Sequence, residues 1–105
     1  VRGDVVIIPF PFSDLSTTKR RPALVIATLP GNDLIICQIT SQARTGPNAV
    51  PITVADFTEG GLNQDSYVRP ERLFTADTRI IAYLAGHISD AKTQDALKVI
   101  QRLFV

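Results

Sequence analysis

Residues 4–10, DVVIIPF, are a continuous β-branched, apolar run, which predicts a first strand ending at or near Pro9 and Pro11, since neither can donate to a ladder. SDLSTTKR, 13–20, is aperiodic and polar and has loop chemistry. RPALVIAT, 21–28, predicts a second strand with Pro22 tolerated at its start, and LIICQIT, 34–40, a third. The intervening Pro-Gly-Asn-Asp makes the pair a hairpin. VPITV, 50–54, is a short fourth strand between the polar loops SQARTGPNA and ADFTEGGLNQD. SYVRPERLFTA, 66–76, is expected to be extended, with Pro70 disfavouring a helix. Ser89 is a natural N-cap with Asp90 in the first turn, and Thr93, Leu97, Ile100 and Phe104 then share a helical face beside Leu103. Lys92, Asp95, Lys98 and Arg102 fall elsewhere on that helix. The fold class is mainly β: one small barrel-like antiparallel domain over residues 1–105, with long loops and a C-terminal α-helix.

A 45% hydrophobic content supplies a core and argues against disorder. No apolar run approaches the roughly 20 residues that span a bilayer, and the N-terminus has no signal-peptide pattern, so no membrane partner and a cytosolic location are expected. A single cysteine, Cys37, leaves no intramolecular disulfide and no cysteine-based zinc site; in LIICQI it reads as a buried, inert thiol. The single histidine, His87, reads as structural, and no metal or cofactor is expected.

A net charge of +1 does not announce a nucleic-acid binder, but its distribution is uneven. Between residues 19 and 44, Lys19, Arg20, Arg21 and Arg44 face only Asp33. A second set, Arg69, Arg72 and Arg79, is interleaved with Glu71 and Asp77. Arginine suits bidentate phosphate contacts better than generic solubility requires. Arg21 precedes a proline, which biases its backbone toward extended geometry as the chain enters the sheet. Read alone it is a solvated arginine. Thr40 and Ser41 stand where the third strand runs out, and hairpin pairing places that end beside the start of the second strand. Arg21 and Thr40/Ser41 are therefore expected neighbours: a cation and two hydroxyls at one rim. Glu71 and Asp77 are the carboxylates of the second basic stretch, each either a general base or an ion-pair partner. GGL, 60–62, has no phosphate-loop signature and reads as a turn.

The collinear order of GD before strand one, RPALVI, ITSQ, GGL followed by SYVR, and GHIS before the final helix resembles the PemK/MazF toxins of bacterial toxin–antitoxin modules. The resemblance implies a homodimeric SH3-like β-barrel that cleaves single-stranded RNA without metal, leaving a 2′,3′-cyclic phosphate and a 5′-hydroxyl, and that a cognate antitoxin silences. Arg21 matches the family's active-site arginine, and Thr40 and Ser41 its Thr-Ser positions near the scissile phosphate. Asp77 and Arg72 lie close to where PemK-type members place an acidic and a basic catalytic residue. The RNA-binding candidates are Lys19, Arg20, Phe12, Gln42, Arg44, Arg69 and Arg72, with Tyr67 and Phe74 as further stacking surfaces, though Phe12 and Phe74 read equally as core residues. Many relatives carry a glutamate in the loop before Arg-Pro; here that loop offers only Asp14, so the base stays open between Asp77 and Asp14. Two other readings use the same barrel: a toxin that inhibits DNA gyrase by binding, and a non-catalytic SH3-like interaction module.

Overall fold

Strands β1 (Asp4–Pro11), β2 (Thr18–Thr28) and β3 (Asp33–Thr40) are consecutive antiparallel neighbours in a computed structural model that describes residues 1–11, 18–42 and 46–105. After them come β4 (Val50–Ile52), a 3₁₀ turn (Val54–Asp56), β5 (Phe57–Gly60), β6 (Ser66–Asp77), a second 3₁₀ turn (Thr78–Ile80), β7 (Tyr83–Ile88) and helix α1 (Asp90–Leu103). All seven strands join one antiparallel sheet in the order β4-β6-β3-β2-β1-β7-β5. The molecule extends 33 × 32 × 32 Å, dimensions a flat sheet of one side-chain layer cannot have, so the sheet curls into a half-barrel. Mainly β with one C-terminal helix is the class the hydrophobic pattern predicts.

Alternation gives the sheet two apolar faces. On one, Val5, Leu24, Ile26, Cys37, Ile39 and Val68 pack with Ala96 and Val99 of α1. On the other, Val6, Ile8, Ala23, Val25, Leu34, Ile36 and Ala76 form a second cluster flanked by Phe74 and Ile81. Ser89 caps α1 as expected, accepting from the Lys92 N–H at 3.2 Å. The buried helix face is set by Thr93, Ala96 and Val99, with Leu97 and Ile100 beside them, whereas Phe104 is 79% exposed because the helix ends at Leu103. Cys37 is fully buried, and burial first, with the Glu71 charge second, pushes its thiol up to about 12, which keeps it inert.

Several expectations need correcting. The prolines do not stop β1, which runs on to Pro11 paired with β2. Ile7 turns its carbonyl toward the β7 side, accepting from Ala82 N–H at 2.8 Å, so the missing N–H groups of Pro9 and Pro11 point the same way. The β1–β7 ladder has already ended at Ile7↔Tyr83, and no ladder bond is lost. β2 starts at Thr18, so Lys19 and Arg20 are strand residues rather than loop residues, and Pro22 lies inside the strand. β4 stops at Ile52, and β5 and β7 form where no strand is predicted. Both carry a glycine that breaks the apolar pattern and that the pairing requires. Gly60 has φ +62°, and a Cβ there would run into the Ala85 carbonyl; a Cβ at Gly86 would meet the Glu59 carbonyl. The GGL turn is thus half of a close backbone crossing. His87 follows Gly86 in β7, with Nδ1 2.8 Å from Asp4 Oδ1, tying β7 to the start of β1 as a structural histidine should. Gly60→Ala is expected to destabilise the fold by more than about 1 kcal/mol, through the left-handed backbone and the carbonyl clash, lowering Tm by several degrees in thermal denaturation; an unchanged Tm would refute the close-crossing assignment.

Candidate active site

On three adjacent strands the second face turns from apolar to polar at the same level. Along β3, Leu34 and Ile36 give way to Gln38 and Thr40; along β2, Val25 and Ala23 give way to Arg21 and Lys19. Along β6, Ala76 and Phe74 precede, in space, Arg69 and Tyr67 across a bulge at residues 70–72. The ladder pairs Ala23 with Gln38, and continuing it by two residues sets Arg21 opposite Thr40. On the other side Gln38 pairs with Arg69 and Thr40 with Tyr67. Directly opposed side chains start roughly 5 Å apart, so Arg21, Thr40, Gln38, Tyr67 and Arg69 form one continuous rim.

Pro22 shapes this rim. Val25 turns its carbonyl toward the β1 side, accepting from Gly3 N–H at 2.9 Å, so Pro22, at the opposite parity, points its nitrogen at β3. It has no hydrogen to offer, and the β2–β3 ladder ends at Ala23↔Gln38. Arg21 stays held to β1, opposite Ile8, while Thr40 leaves on β3. The two side chains thus flank an opening between strands. Thr40 Oγ1 accepts from the Gln42 N–H at 3.2 Å, which fixes the strand exit and leaves the hydroxyl hydrogen to donate. Ser41 and Gln42 are exposed beside it. Extended past its last pair, the register sets Arg21 on the side of Thr40, while Ser41 lies beyond the end of β3.

Arg69 completes the positive end. Its side chain is only 15% exposed, its Nη2 lies 3.4 Å from Glu71 Oε2, and its buried Nε has no hydrogen-bond partner among the described residues. A largely buried guanidinium with one long ion pair and an unpaired N–H is under-compensated, and an anion at the rim is the natural complement. Lys19 lies on the same face, two residues along β2 from Arg21. Arg20 alternates to the opposite side of the strand and is exposed, as is Arg72 within the bulge. Phe12, Asp14 and Arg44 lie outside the described residues.

Asp77 does not join this group. It pairs with Asp33 at the other end of the ladder that carries Thr40↔Tyr67, roughly 24 Å away at about 3.4 Å per residue. There it accepts from Arg79 through both the backbone N–H, at 2.8 Å, and the guanidinium, at 2.7 Å, and starts the second 3₁₀ turn. The carboxylate that lies with the rim is Glu71, two residues beyond Arg69. Gln38 is also a rim residue that sequence reading passes over; the two-residue step from Ile36 to Gln38 to Thr40 is the signal that marks it. Among the described residues no cluster of three or more His, Cys, Asp or Glu side chains is placed to hold a metal ion.

The model of the PemK-like, MazF-like toxins of type II toxin–antitoxin systems matches residues 1–104, and the chain belongs to that family. No curated protein sequence matches it significantly. Among solved structures, the chain is similar to an endoribonuclease in complex with its cognate antitoxin from a Mycobacterial species, at 18% identity and TM-score 0.77, over 99% of this chain and 93% of that one. It is similar to MazE–MazF from Deinococcus radiodurans at 18% identity and TM-score 0.79, over 98% and 94%. The Mycobacterium tuberculosis toxin MazF-mt6 follows the same fold at 20% identity and TM-score 0.70, over 94% and 95%.

The assignment of Asp77 to a structural pair has a direct consequence. Hydrogen bonds from the Arg79 side chain and backbone outweigh slight desolvation and, with the guanidinium charge, bring the Asp77 carboxyl from 3.8 to about 2. NMR titration is expected to find that low value in the wild type and to see it rise toward 3.8 in Arg79→Ala; a value unmoved by the substitution would contradict the pairing.

Proposed function

We propose that this protein is the toxin of a type II toxin–antitoxin pair, an endoribonuclease that cleaves single-stranded RNA as a cytoplasmic homodimer and is silenced by a cognate antitoxin. The observation that carries this reading is the polar end of one sheet face, where Arg21 and Thr40 each lie two residues past the last β2–β3 pair and Arg69 stands on the next strand. Endoribonuclease and antitoxin complex are the descriptions of a solved relative of the same fold, and they support it. A steric inhibitor or a plain interaction module has no need of a largely buried arginine with an unpartnered N–H such as Arg69.

In this mechanism the ribose 2′-oxygen attacks the adjacent phosphorus, the bond from phosphorus to the 5′-oxygen breaks, and a 2′,3′-cyclic phosphate remains. Negative charge grows on the equatorial oxygens, where the Arg21 and Arg69 guanidiniums and the Thr40 hydroxyl meet it. Arginine remains protonated at working pH, so it stabilises charge and does not exchange the proton. The 2′-hydroxyl proton passes to a carboxylate. Glu71, held on Arg69, takes that role in place of Asp77, and the departing 5′-oxygen takes a proton from water at the open rim. Lys19, Arg20, Arg72 and Gln42 assist binding of the strand.

Purified protein incubated with long single-stranded RNA in EDTA, followed by end-group analysis, tests the reading. Wild type is expected to yield cyclic-phosphate ends, Arg21→Ala to lose about 10²–10³ in rate, and Glu71→Gln about 10²–10⁴, with Asp77→Asn cleaving like wild type. Intact RNA in the wild-type lane overturns the nuclease reading; an inactive Asp77→Asn beside an active Glu71→Gln overturns the choice of base.

A further inference from the structure

We infer that Gln38 is a specificity-determining residue that reads one base beside the scissile phosphate, an inference that rests on the ribonuclease reading above. Gln38 sits at the centre of the rim. It is two residues from Thr40 on the same face of β3, is paired with Arg69 on β6, and lies diagonal to both Arg21 and Tyr67. Its β2 neighbour is Ala23, whose methyl offers an amide no hydrogen bond. The side chain is half-buried, and no hydrogen bond to it is found among the described residues.

The chemistry of the neighbours divides the labour. Arg21 and Arg69 carry full charge and suit phosphate oxygens, whereas a neutral primary amide gains little from a phosphate. It presents one donor and one acceptor side by side, the pattern that pairs with a base edge through two hydrogen bonds. Single-stranded RNA is read by such edge contacts on bases splayed out and stacked on aromatic rings. Tyr67 supplies a ring one diagonal step from the amide, while the cations fix the phosphate next to it. A rigid sheet holds the amide, so its rejection of mismatched edges does not depend on loop closure. Part of the cleavage motif thus resides in the barrel wall.

The test compares wild type with Gln38→Met, which keeps volume and removes the donor and acceptor, and Gln38→Glu, which presents acceptors only. A randomised single-stranded RNA pool is cleaved and the new ends are sequenced, with thermal melts confirming that each variant is folded. Wild type is expected to show a base bias at one position near the cut. Gln38→Met should reduce that bias by roughly tenfold or more, the scale of one lost two-bond base contact, while biases at other positions persist. Gln38→Glu should move the preference at that position toward guanine, whose Watson–Crick edge offers two adjacent donors. Folded variants with the wild-type site profile overturn the inference, as does a uniform slowing at all sites with no change of bias. If wild type cleaves and Arg21→Ala does not, such a result indicts Gln38 alone; RNA left intact by wild type overturns the ribonuclease reading and this inference together.

Discussion

Strand register is the constraint on which the rest of this protein depends. Along β2, β3 and β6 successive side chains alternate between two faces that are both largely buried, and the candidate site is simply the polar continuation of one of them. A slip of one residue of β2 against β3 would turn β2 over, taking Leu24 out of the helix-covered core and driving Arg21 toward it. The cost of that exchange, core packing lost and a guanidinium forced inward, far exceeds anything the turn residues contribute. Core packing on one side of the sheet therefore sets the positions of the catalytic candidates on the other.

Prolines refine what register sets. In β1 they face a stretch of strand edge that carries no ladder, so they cost nothing there. In β2 a single proline faces a neighbour that would use its donor, and the ladder ends there. The same residue that loosens the strand pair also restricts the backbone of Arg21 before it. A cation anchored on one strand and a hydroxyl on the next, with the space between them unzipped, gives the β-sheet a polar cleft without a glycine loop.

The other polar clusters show by contrast why the rim stands apart. Asp77 and Arg79 satisfy each other through several hydrogen bonds, and Asp4 and His87 pin strand ends together. Burial pushes the Asp4 carboxyl up, but hydrogen bonds and charge from the terminal amine and His87 prevail and leave it below its ordinary value. These pairs are closed. At the rim, Arg69 keeps one long ion pair to Glu71 and a buried nitrogen with no hydrogen-bond partner among the described residues, so its charge is less closed than those pairs are.

Much of this was legible along the chain. The apolar runs of β1, β2 and β3, the Pro-Gly-Asn-Asp turn and the Ser89 cap identify themselves because their signals are local, and from the hairpin alone Arg21 and Thr40 could be set side by side. β5 and β7 were not legible, since their glycines erase the alternation and are there only because two backbones cross closely, a fact that belongs to the pairing. Asp77 was drawn toward the site by its nearness in sequence to Arg69 and Arg72, yet β6 is long enough to carry it to the far end of the sheet. Composition and periodicity determined which segments pair and which residues bring charge. Only the tertiary structure decided which carboxylate and which amide share a rim with Arg21, because that depends on the β3–β6 register and its bulge, and contacts between distant strands leave no mark in local sequence.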